Sequence, residues 1–211
     1  MTQHDDRITV YSDYVCPFCF LGRRSLEAYL DRRERDLQID WRPFDLRSQK
    51  RTPDGTIDDA VDDGKDEAYF DQVRQNVDRL KEEYDVDEML SLDDLPEHFD
   101  SFTAQVASFY VDTQYPQQWM AFDEAIFEAL WVDGRDVSDV DVLVDIAEEI
   151  GLDGTEIRTA VADEHLRGRL REQCSQAQQD GVTGVPTFVY NGYSARGAVP
   201  PEQLERLVEG T

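Results

Sequence analysis

Hydrophobic and polar residues alternate in two different ways along the chain. Residues 7–14 form a short β-prone run, and apolar residues at helical spacing follow directly from Leu21 to Leu30, in a helix expected to end near Asp36. Residues 37–44 then alternate with a period of two. These elements predict a β-α-β unit, which is a common start of an α/β domain.

From Asp45 to about Glu164 the pattern is helical and contains no convincing strand, which indicates an inserted helical block. Ser138 is the expected N-cap of the last helix of this block, and Gly151 lies beyond its end. We expect four main helices, over residues 66–84, 101–112, 117–133 and 138–150. An apolar stripe on the third is expected to be core rather than a cofactor-binding aromatic box: Phe122, Ile126, Phe127, Leu130 and Trp131.

The α/β pattern returns near the C-terminus. A helix over about 165–180 precedes a β-prone run over 187–190. Asn191-Gly192 is a hairpin turn signal, so residues 193–199 are expected to form the partner strand. A final amphipathic helix is expected from Pro200 onward. The order α-β-β-α therefore closes the chain.

The chain of 211 residues carries 47 acidic and 21 basic residues, a formal net charge of −26. Such a surface repels phosphate backbones and anionic membranes, so nucleic acid and membrane partners are not expected. Thirty Asp, 17 Glu and only three Lys are typical of a haloarchaeal proteome, in which a hydrated carboxylate surface stays soluble at molar salt. Acidic runs are accordingly expected to be solvated surface, among them Asp58, Asp59, Asp62, Asp63 and Asp66.

The first seven residues contain no basic segment followed by an apolar core, and no apolar run reaches 18 residues. We therefore expect a cytoplasmic protein, and structural disulfides are rare in that reducing compartment. The cysteines are odd in number, Cys16, Cys19 and Cys174, and the first two form a C-x-x-C. In this setting a C-x-x-C pair indicates redox catalysis or metal binding.

The C-x-x-C pair lies where the first predicted strand meets the first predicted helix. Unpaired N–H groups and the helix dipole at that end stabilise a thiolate and are expected to depress the pKa of Cys16. Pro17 fits the first helical turn because its missing N–H would be unpaired there. Cys19 lies about one turn further along, close enough to form a disulfide with Cys16. We expect Cys16 to attack a substrate disulfide and Cys19 to resolve the mixed disulfide.

Zinc is the competing interpretation of a C-x-x-C pair, and a zinc site needs three or four protein ligands. The sequence has no second C-x-x-C, and its histidines, His4, His98 and His165, lack metal-ligand spacing. We therefore expect no metal site. Cys174 is expected to be a buried free thiol, and a role as a third redox partner is the alternative.

Four motifs in a fixed order give the chain a family resemblance. They are residues 12–19 (SDYVCPFC), 42–44 (RPF), 181–188 (GVTGVPTF) and 197–201 (GAVPP). Over nearly its whole length the chain resembles DsbA-family thioredoxin-like proteins, and specifically the FrnE-like branch. Relatives of that branch include 2-hydroxychromene-2-carboxylate isomerases and kappa-class glutathione transferases.

The resemblance implies an α/β thioredoxin fold with a large all-helical insertion. Residues 1–45 and 165–211 would form the thioredoxin-like domain, and residues 46–164 the inserted helical domain. It also implies protein-disulfide oxidoreductase or isomerase activity.

The same resemblance implies a cis peptide bond at Pro186, packed against the C-x-x-C pair. An X-Pro bond is cis in only about 5–6% of cases, so the family pattern alone carries this expectation. The backbone of Val185 would pair with an extended substrate. Thr187, Pro17 and Phe18 are expected to contribute to the substrate-binding surface.

One position departs from the pattern of the FrnE-like branch. The family segment Asn-[Ser/Thr]-x-x-Ala-His reads DSFTAQ at residues 100–105, so Gln105 replaces the histidine. If this position faces the catalytic thiol, a titratable group that could tune or protonate Cys16 is missing. The change weakens the case for isomerase chemistry and leaves disulfide exchange by two cysteines intact.

The sequence thus predicts a dithiol-disulfide oxidoreductase with protein or low-molecular-weight thiol/disulfide substrates, a separate redox partner that recycles it, and no bound cofactor. Two alternatives stay open. A glutathione-dependent isomerase or transferase would act on a small aromatic substrate, but relatives with that chemistry often lack the second cysteine, which is present here as Cys19. A non-catalytic peptide-binding module would use the groove beside Pro186 and would need neither cysteine.

Overall fold

A computed structural model describes residues 6–52, 55–96 and 99–210. In this part of the chain, the strands are β1 (Arg7–Ser12), β2 (Gln38–Pro43), β3 (Thr187–Tyr190) and β4 (Tyr193–Arg196). The α-helices are α1 (Pro17–Arg32), α2 (Glu67–Tyr84), α3 (Phe102–Gln114), α4 (Trp119–Trp131), α5 (Val140–Glu149), α6 (Gly154–Ala162), α7 (Glu164–Gln179) and α8 (Pro201–Glu209). The mixed α/β class is confirmed, with β-α-β at one end of the chain and α-β-β-α at the other.

The strands form one sheet with the order β2-β1-β3-β4. β1 is parallel to β2 and antiparallel to β3, and β3 forms an antiparallel hairpin with β4. The hairpin turn is the predicted Asn191-Gly192, whose φ angles are 48° and 84°, as a two-residue type I′ turn requires. β1 is therefore a central strand, and the chain leaves it directly for α1 and the cysteine pair.

Helices cover both faces of the sheet. Leu26 of α1 and Leu204 of α8 are buried in one apolar cluster with Phe188 of β3. Tyr11 of β1 contacts a second cluster, which includes Ala177 of α7. Because burial of a large apolar side chain contributes about 1.5–3 kcal/mol, these clusters fix α1 relative to the sheet.

Helices α2–α6 lie between β2 and α7 in the chain, and their core is continuous with the start of α1. Tyr14, just before α1, packs edge-on against Phe127 of α4 with 4.7 Å between the ring centroids. The predicted apolar stripe of α4 is buried, as expected: Phe122, Ile126, Phe127, Leu130 and Trp131. The division of the chain into domains at 45/46 and 164/165 stays a prediction.

Two elements end earlier than the sequence pattern predicts. α1 ends at Arg32 rather than near Asp36, because Arg33 has an extended backbone with φ −84° and ψ 135°. β4 ends at Arg196, three residues before its expected end. Gly197 follows with φ 84°, which turns the chain out of the sheet.

The start of α5 differs from the prediction by one residue, and α6 was not singled out at all. The N-cap of α5 is Asp139 rather than Ser138, and its carboxylate accepts the N–H of Asp141. The Ser138 hydroxyl donates to the Asp136 carboxylate instead. α6 is a nine-residue helix that begins after its N-cap Asp153.

Candidate active site

Cys16 and Cys19 lie at the N-terminal end of α1, where the sequence predicts them. Cys16 is the N-cap, with φ −90° and ψ 115°, and Pro17 follows it in the first turn. The N–H of Cys16 donates to the carbonyl of Asp13 at 3.1 Å, and the N–H of Cys19 donates to the carbonyl of Cys16 at 3.0 Å. Both cysteines are free thiols, with 4% and 2% of their surface exposed. The Cys16 sulfur thus lies where helix N–H groups favour a negative charge.

The loop before β3 forms the second part of the site. The Val185–Pro186 peptide bond is cis, as predicted. The sulfur of Cys16 lies 3.5 Å from the carbonyl oxygen of Val185, within hydrogen-bond distance for a thiol. The Thr187 hydroxyl donates to the carbonyl of Gly184 at 2.7 Å and holds the loop in place. The structure therefore brings together Cys16 and the three predicted residues of this loop.

α1 and the cis-proline loop approach each other closely at Gly22. A Cβ at residue 22 would lie 2.9 Å from Cγ of Pro186 and 3.3 Å from Cζ of Phe188. A glycine at this position is therefore required for α1 to lie against Pro186. Sequence reasoning missed Gly22, because a single sequence does not distinguish a glycine that makes a close contact from any other glycine in a helix.

Cys19 is buried in the first turn of α1. Burial raises the pKa of the Cys19 thiol well above its usual range, and the neighbouring Cys16 raises it further. The backbone N–H of Asp13 and the hydroxyl of Ser12 lower the pKa of Cys19, because they donate hydrogen bonds that favour the thiolate. Burial dominates, so Cys19 is held as a thiol at neutral pH.

Asp13 is a buried carboxyl group in the turn between β1 and α1, and sequence reasoning did not single it out. Only 1% of Asp13 is exposed. It accepts hydrogen bonds from the N–H groups of Val15 and Leu46, the latter at 2.8 Å, and from the side chains of Ser101 and Gln105. Burial raises the pKa of Asp13 to about 6, and the Ser101 hydrogen bond opposes that shift. The Asp13 carboxyl thereby links three segments: the turn that carries Cys16, the loop after β2, and the start of α3.

Gln105, at the position where the sequence resemblance implies a histidine, faces Asp13 rather than the cysteine pair. Its side-chain nitrogen lies 3.1 Å from the Asp13 carboxylate, 3.1 Å from the Ser101 hydroxyl and 3.2 Å from the Phe44 carbonyl. Gln105 is fully buried, and its side-chain oxygen has no hydrogen-bond partner in the described part of the chain. Position 105 therefore contacts the Asp13 carboxyl, and through it the turn before Cys16.

A buried ion pair links α1 to α4 beside the cysteines, and sequence reasoning missed it as well. Nη1 of Arg23 lies 3.1 Å from Oδ2 of Asp123, and only 8% and 5% of these side chains are exposed. The Tyr14 hydroxyl donates to Oδ1 of Asp123 at 2.9 Å, and the Trp131 indole N–H donates to the Tyr14 carbonyl at 2.8 Å. A cavity of about 20 Å³, large enough for one water molecule, lies between this ion pair and Cys19.

Comparison with known proteins identifies the family. A family model described as a DSBA-like thioredoxin domain matches residues 7–209. The chain belongs to the DsbA-like thioredoxin domain family. The sheet and helices accordingly match the DsbA-like thioredoxin fold, and the fold that the sequence resemblance implied is confirmed.

Relatives of this DsbA-like chain are similar over almost their full lengths. YwbO, an uncharacterized protein of Bacillus subtilis, is 26% identical over 209 residues, which cover 99% of this chain and 96% of YwbO. A 2-hydroxychromene-2-carboxylate isomerase has a TM-score of 0.76 at 19% identity, with 97% of this chain and 93% of the isomerase covered. A probable DsbA oxidoreductase from Streptomyces coelicolor has a TM-score of 0.73 at 24% identity, with 97% and 90% covered. The family thus includes disulfide oxidoreductases and isomerases. The FrnE-like branch and a haloarchaeal origin stay predictions.

Three further residues were expected near the site or as a free thiol: Pro17, Phe18 and Cys174. Pro17 is buried, and Phe18 is half-buried against the apolar core. Cys174 is buried on α7, as expected, and burial raises the pKa of its thiol far above the usual range. Cys174 is a free thiol.

Among residues 6–52, 55–96 and 99–210, no group of three or more His, Cys, Asp or Glu side chains is arranged to hold a metal ion. His165 is exposed at the start of α7, and His4 and His98 lie outside the described residues. The predicted acidic runs lie at the surface, with Asp63 half-buried and the other four exposed: Asp58, Asp59, Asp62 and Asp66. None of the helices described here has the length and apolar character needed to cross a membrane.

Proposed function

We propose that this DsbA-like protein is a thiol-disulfide oxidoreductase that uses Cys16 and Cys19 as its redox pair. The observation that carries the proposal is the position of the Cys16 sulfur, at the N-terminus of α1 and 3.5 Å from the carbonyl oxygen of Val185. An attacking thiolate there would be stabilised by the helix terminus. A substrate backbone could be held beside it at the cis-proline loop.

Reduction of a substrate disulfide would take two exchange steps. In the first, the Cys16 thiolate attacks one substrate sulfur, a mixed disulfide forms, and the other substrate sulfur leaves as a thiolate. In the second, Cys19 loses its proton and attacks the Cys16 sulfur, so that a Cys16–Cys19 disulfide forms and the first substrate sulfur leaves. Two electrons pass to the substrate. Cys16 gives up its proton when its thiolate forms and Cys19 gives up its proton in the second step, and the two substrate thiolates take up two protons. The reverse steps would oxidise a dithiol substrate.

The cis-proline loop would bind an extended segment of the substrate. β3 begins at Thr187, so Val185 precedes the paired part of the strand and its backbone can pair with a substrate chain. Pro17 and Phe18 would border the same surface on the side of α1. Thr187 is buried and bonded to Gly184, so we assign it a positioning role in the loop.

The proposed substrates are protein or low-molecular-weight disulfides and thiols in the cytoplasm, and a separate redox partner would restore the starting state of the pair. The helical segment 46–164 would cover one side of the substrate groove. The core that it shares with the start of α1 supports this placement.

A redox titration tests the proposal. The purified protein is equilibrated in thiol/disulfide buffers, the free cysteines are alkylated, and the intact mass is measured. Two alkylations should be lost together and map to Cys16 and Cys19, and a Cys174→Ser variant should behave in the same way. A pair that never closes, or that closes only with Cys174, would overturn the proposal.

Two variants assign the roles within the pair. Cys16→Ser should abolish disulfide exchange, and Cys19→Ser should accumulate the mixed disulfide because the second step is blocked. Full turnover of a small aromatic substrate by Cys19→Ser with glutathione would favour the isomerase or transferase alternative. Peptide binding without any exchange activity would favour the binding module.

A further inference from the structure

Cys19 must lose a proton before it can attack Cys16, and its thiol is enclosed by the protein. Only 2% of the surface of Cys19 is exposed, and burial raises the pKa of its thiol well above the usual range. Only the thiolate form of a cysteine is nucleophilic. The second exchange step therefore needs a group inside the molecule that accepts this proton.

The cavity of about 20 Å³ beside Cys19 provides a route for the proton. It lies between α1, the sheet and α4, and its volume is sufficient for one water molecule. Of the described residues that line the cavity, three have titratable side chains: Cys19, Arg23 and Asp123. A guanidinium group has no acceptor atom and keeps its protons in proteins. Asp123 is thus the lining residue that can take up a proton from Cys19.

The surroundings of Asp123 keep a negative charge available at the cavity. Nη1 of Arg23 lies 3.1 Å from Oδ2, and the Tyr14 hydroxyl donates to Oδ1 at 2.9 Å, so each oxygen retains a lone pair for a further donor. Burial raises the pKa of Asp123, the Arg23 charge and the Tyr14 hydrogen bond lower it, and the charges of Glu27 and Glu124 raise it. The net shift is upward, which makes Asp123 a better proton acceptor than an ordinary aspartate. When Asp123 is protonated, Arg23 still has Glu27 at 2.8 Å.

We propose that Asp123 accepts the proton of Cys19 through a water molecule in this cavity during the second exchange step. The inference rests on the proposed redox function and names a further residue of the same site. The water takes the Cys19 proton and passes one of its own to Asp123, and the Cys19 thiolate attacks the Cys16 sulfur. The Cys16–Cys19 bond forms as the bond from Cys16 to the substrate breaks, and the substrate sulfur leaves with the electron pair. In the reverse reaction Cys19 leaves as a thiolate and recovers the proton from Asp123.

A single turnover of dithiobis(nitrobenzoate) separates the two exchange steps, because each step releases one coloured thiolate. A Cys174→Ser parent protein is mixed with one equivalent of this aromatic disulfide in a stopped-flow instrument. The first phase reports attack by Cys16 and the second reports attack by Cys19, so addition of Cys19→Ser should remove only the second. Asp123→Asn should slow the second phase, relative to the first, about a hundredfold or more at neutral pH.

The pH profile of the second phase distinguishes a proton acceptor from a structural role. With Asp123 present, the proton moves between two protein groups, so the rate should be level with pH once Asp123 is ionised. In Asp123→Asn the proton must go to solvent, and the rate should rise about tenfold per pH unit below the pKa of Cys19. Asp123→Glu keeps a carboxylate and should restore the level profile.

Tyr14→Phe is the matched control, because it removes a hydrogen bond from the Asp123 carboxylate but keeps the carboxylate itself. Its second phase should retain the level profile of the parent protein. If Asp123→Asn does not fold, the parent protein decides, since a second phase that rises about tenfold per pH unit around neutral pH would overturn the proposal. A level profile in Asp123→Asn would overturn it as well, and both results would leave the redox function intact. Release of only one thiolate by the parent protein would overturn the redox function and this inference together.

Discussion

The side-chain amide of Gln105 donates a buried hydrogen bond of 3.1 Å to the carboxyl group of Asp13, in the turn that leads to Cys16. Through this contact α3 is connected to the start of α1, although more than ninety residues separate the two partners in the chain. The Asp13 carboxyl also accepts a hydrogen bond from the N–H of Leu46. A single titratable group therefore joins three segments around the cysteine pair.

The first prediction concerns the pH dependence of stability. The pKa of Asp13 is about 6 in the folded chain, whereas its ordinary value is 3.8. Protonation therefore favours the folded state, and this stabilisation is complete below about pH 4 and is lost as the pH rises through about 6. Relative to Asp13→Asn, the free energy of unfolding of the wild type should fall by up to about 3 kcal/mol across this window. Denaturant titrations at a series of pH values measure the difference.

A second variant sharpens this test. The hydrogen bond from Ser101 lowers the pKa of Asp13 because it favours the charged carboxylate. In Ser101→Ala the loss of stability should therefore extend to higher pH than in the wild type. A difference between the wild type and Asp13→Asn that does not change with pH would contradict a buried carboxyl that takes up its proton near pH 6.

The second prediction compares two glycines within helices. Gly22→Ala should lower the free energy of unfolding by about 1–3 kcal/mol, because the new methyl group meets the ring of Pro186 at 2.9 Å. Gly168→Ala on α7 has no atom within 4 Å of the new Cβ and should raise stability by about 0.5–1 kcal/mol. Chemical denaturation measures both. Equal effects of the two substitutions would mean that Gly22 does not control the approach of α1 to the loop.

The third prediction concerns the buried ion pair. Asp123→Asn removes the buried carboxylate charge beside the Arg23 guanidinium, which keeps Glu27 at 2.8 Å and the Met120 carbonyl at 3.0 Å as close partners, and should cost about 3 kcal/mol of stability. Tyr14→Phe removes one hydrogen bond to the same carboxylate and should cost about 1 kcal/mol. The double variant should lose less than the sum, because both changes act on one carboxylate. The control Arg79→Gln, at an exposed pair, should be nearly neutral.

The fourth prediction decides between two neighbouring candidates for the N-cap of α5. Asp139→Ala should cost about 1 kcal/mol, because its carboxylate accepts the N–H of Asp141 at 2.9 Å. Ser138→Ala should cost less, because its hydroxyl bonds to Asp136 and to no helix N–H. If Ser138→Ala lowered the thermal stability more than Asp139→Ala, Ser138 would be the N-cap, as the sequence pattern predicts.

Much of the fold could be predicted because its signals are local. Alternation over residues 37–44 indicated β2, and Asn191-Gly192 indicated the hairpin of β3 and β4. The placement of Cys16 at the first turn of a helix follows from the strand-to-helix change in the pattern. The cis bond at Pro186 came from the family resemblance alone, because nothing in one sequence distinguishes it from the common trans form.

The polar groups inside the site were missed because their chemistry is common elsewhere in the chain. With 30 aspartates in the sequence, no local pattern distinguishes Asp13 and Asp123 from aspartates at the surface. Only the fold shows that their partners come from distant segments, Gln105 for the first and Arg23 for the second. Residues whose role depends on a contact between distant segments carry no local signal.

The donors that satisfy the turn before Cys16 lie far along the chain, and this limits how the molecule could be shortened. If β2 were joined directly to α7, every strand and both cysteines of the pair would remain. The Asp13 carboxyl would lose all its donors outside its own turn, the Tyr14 carbonyl would lose the Trp131 indole, and Arg23 would be left without Asp123. Excision of the helices would also uncover the apolar residues at the start of α1 that pack against them, so we expect the smaller thioredoxin-like unit not to fold on its own.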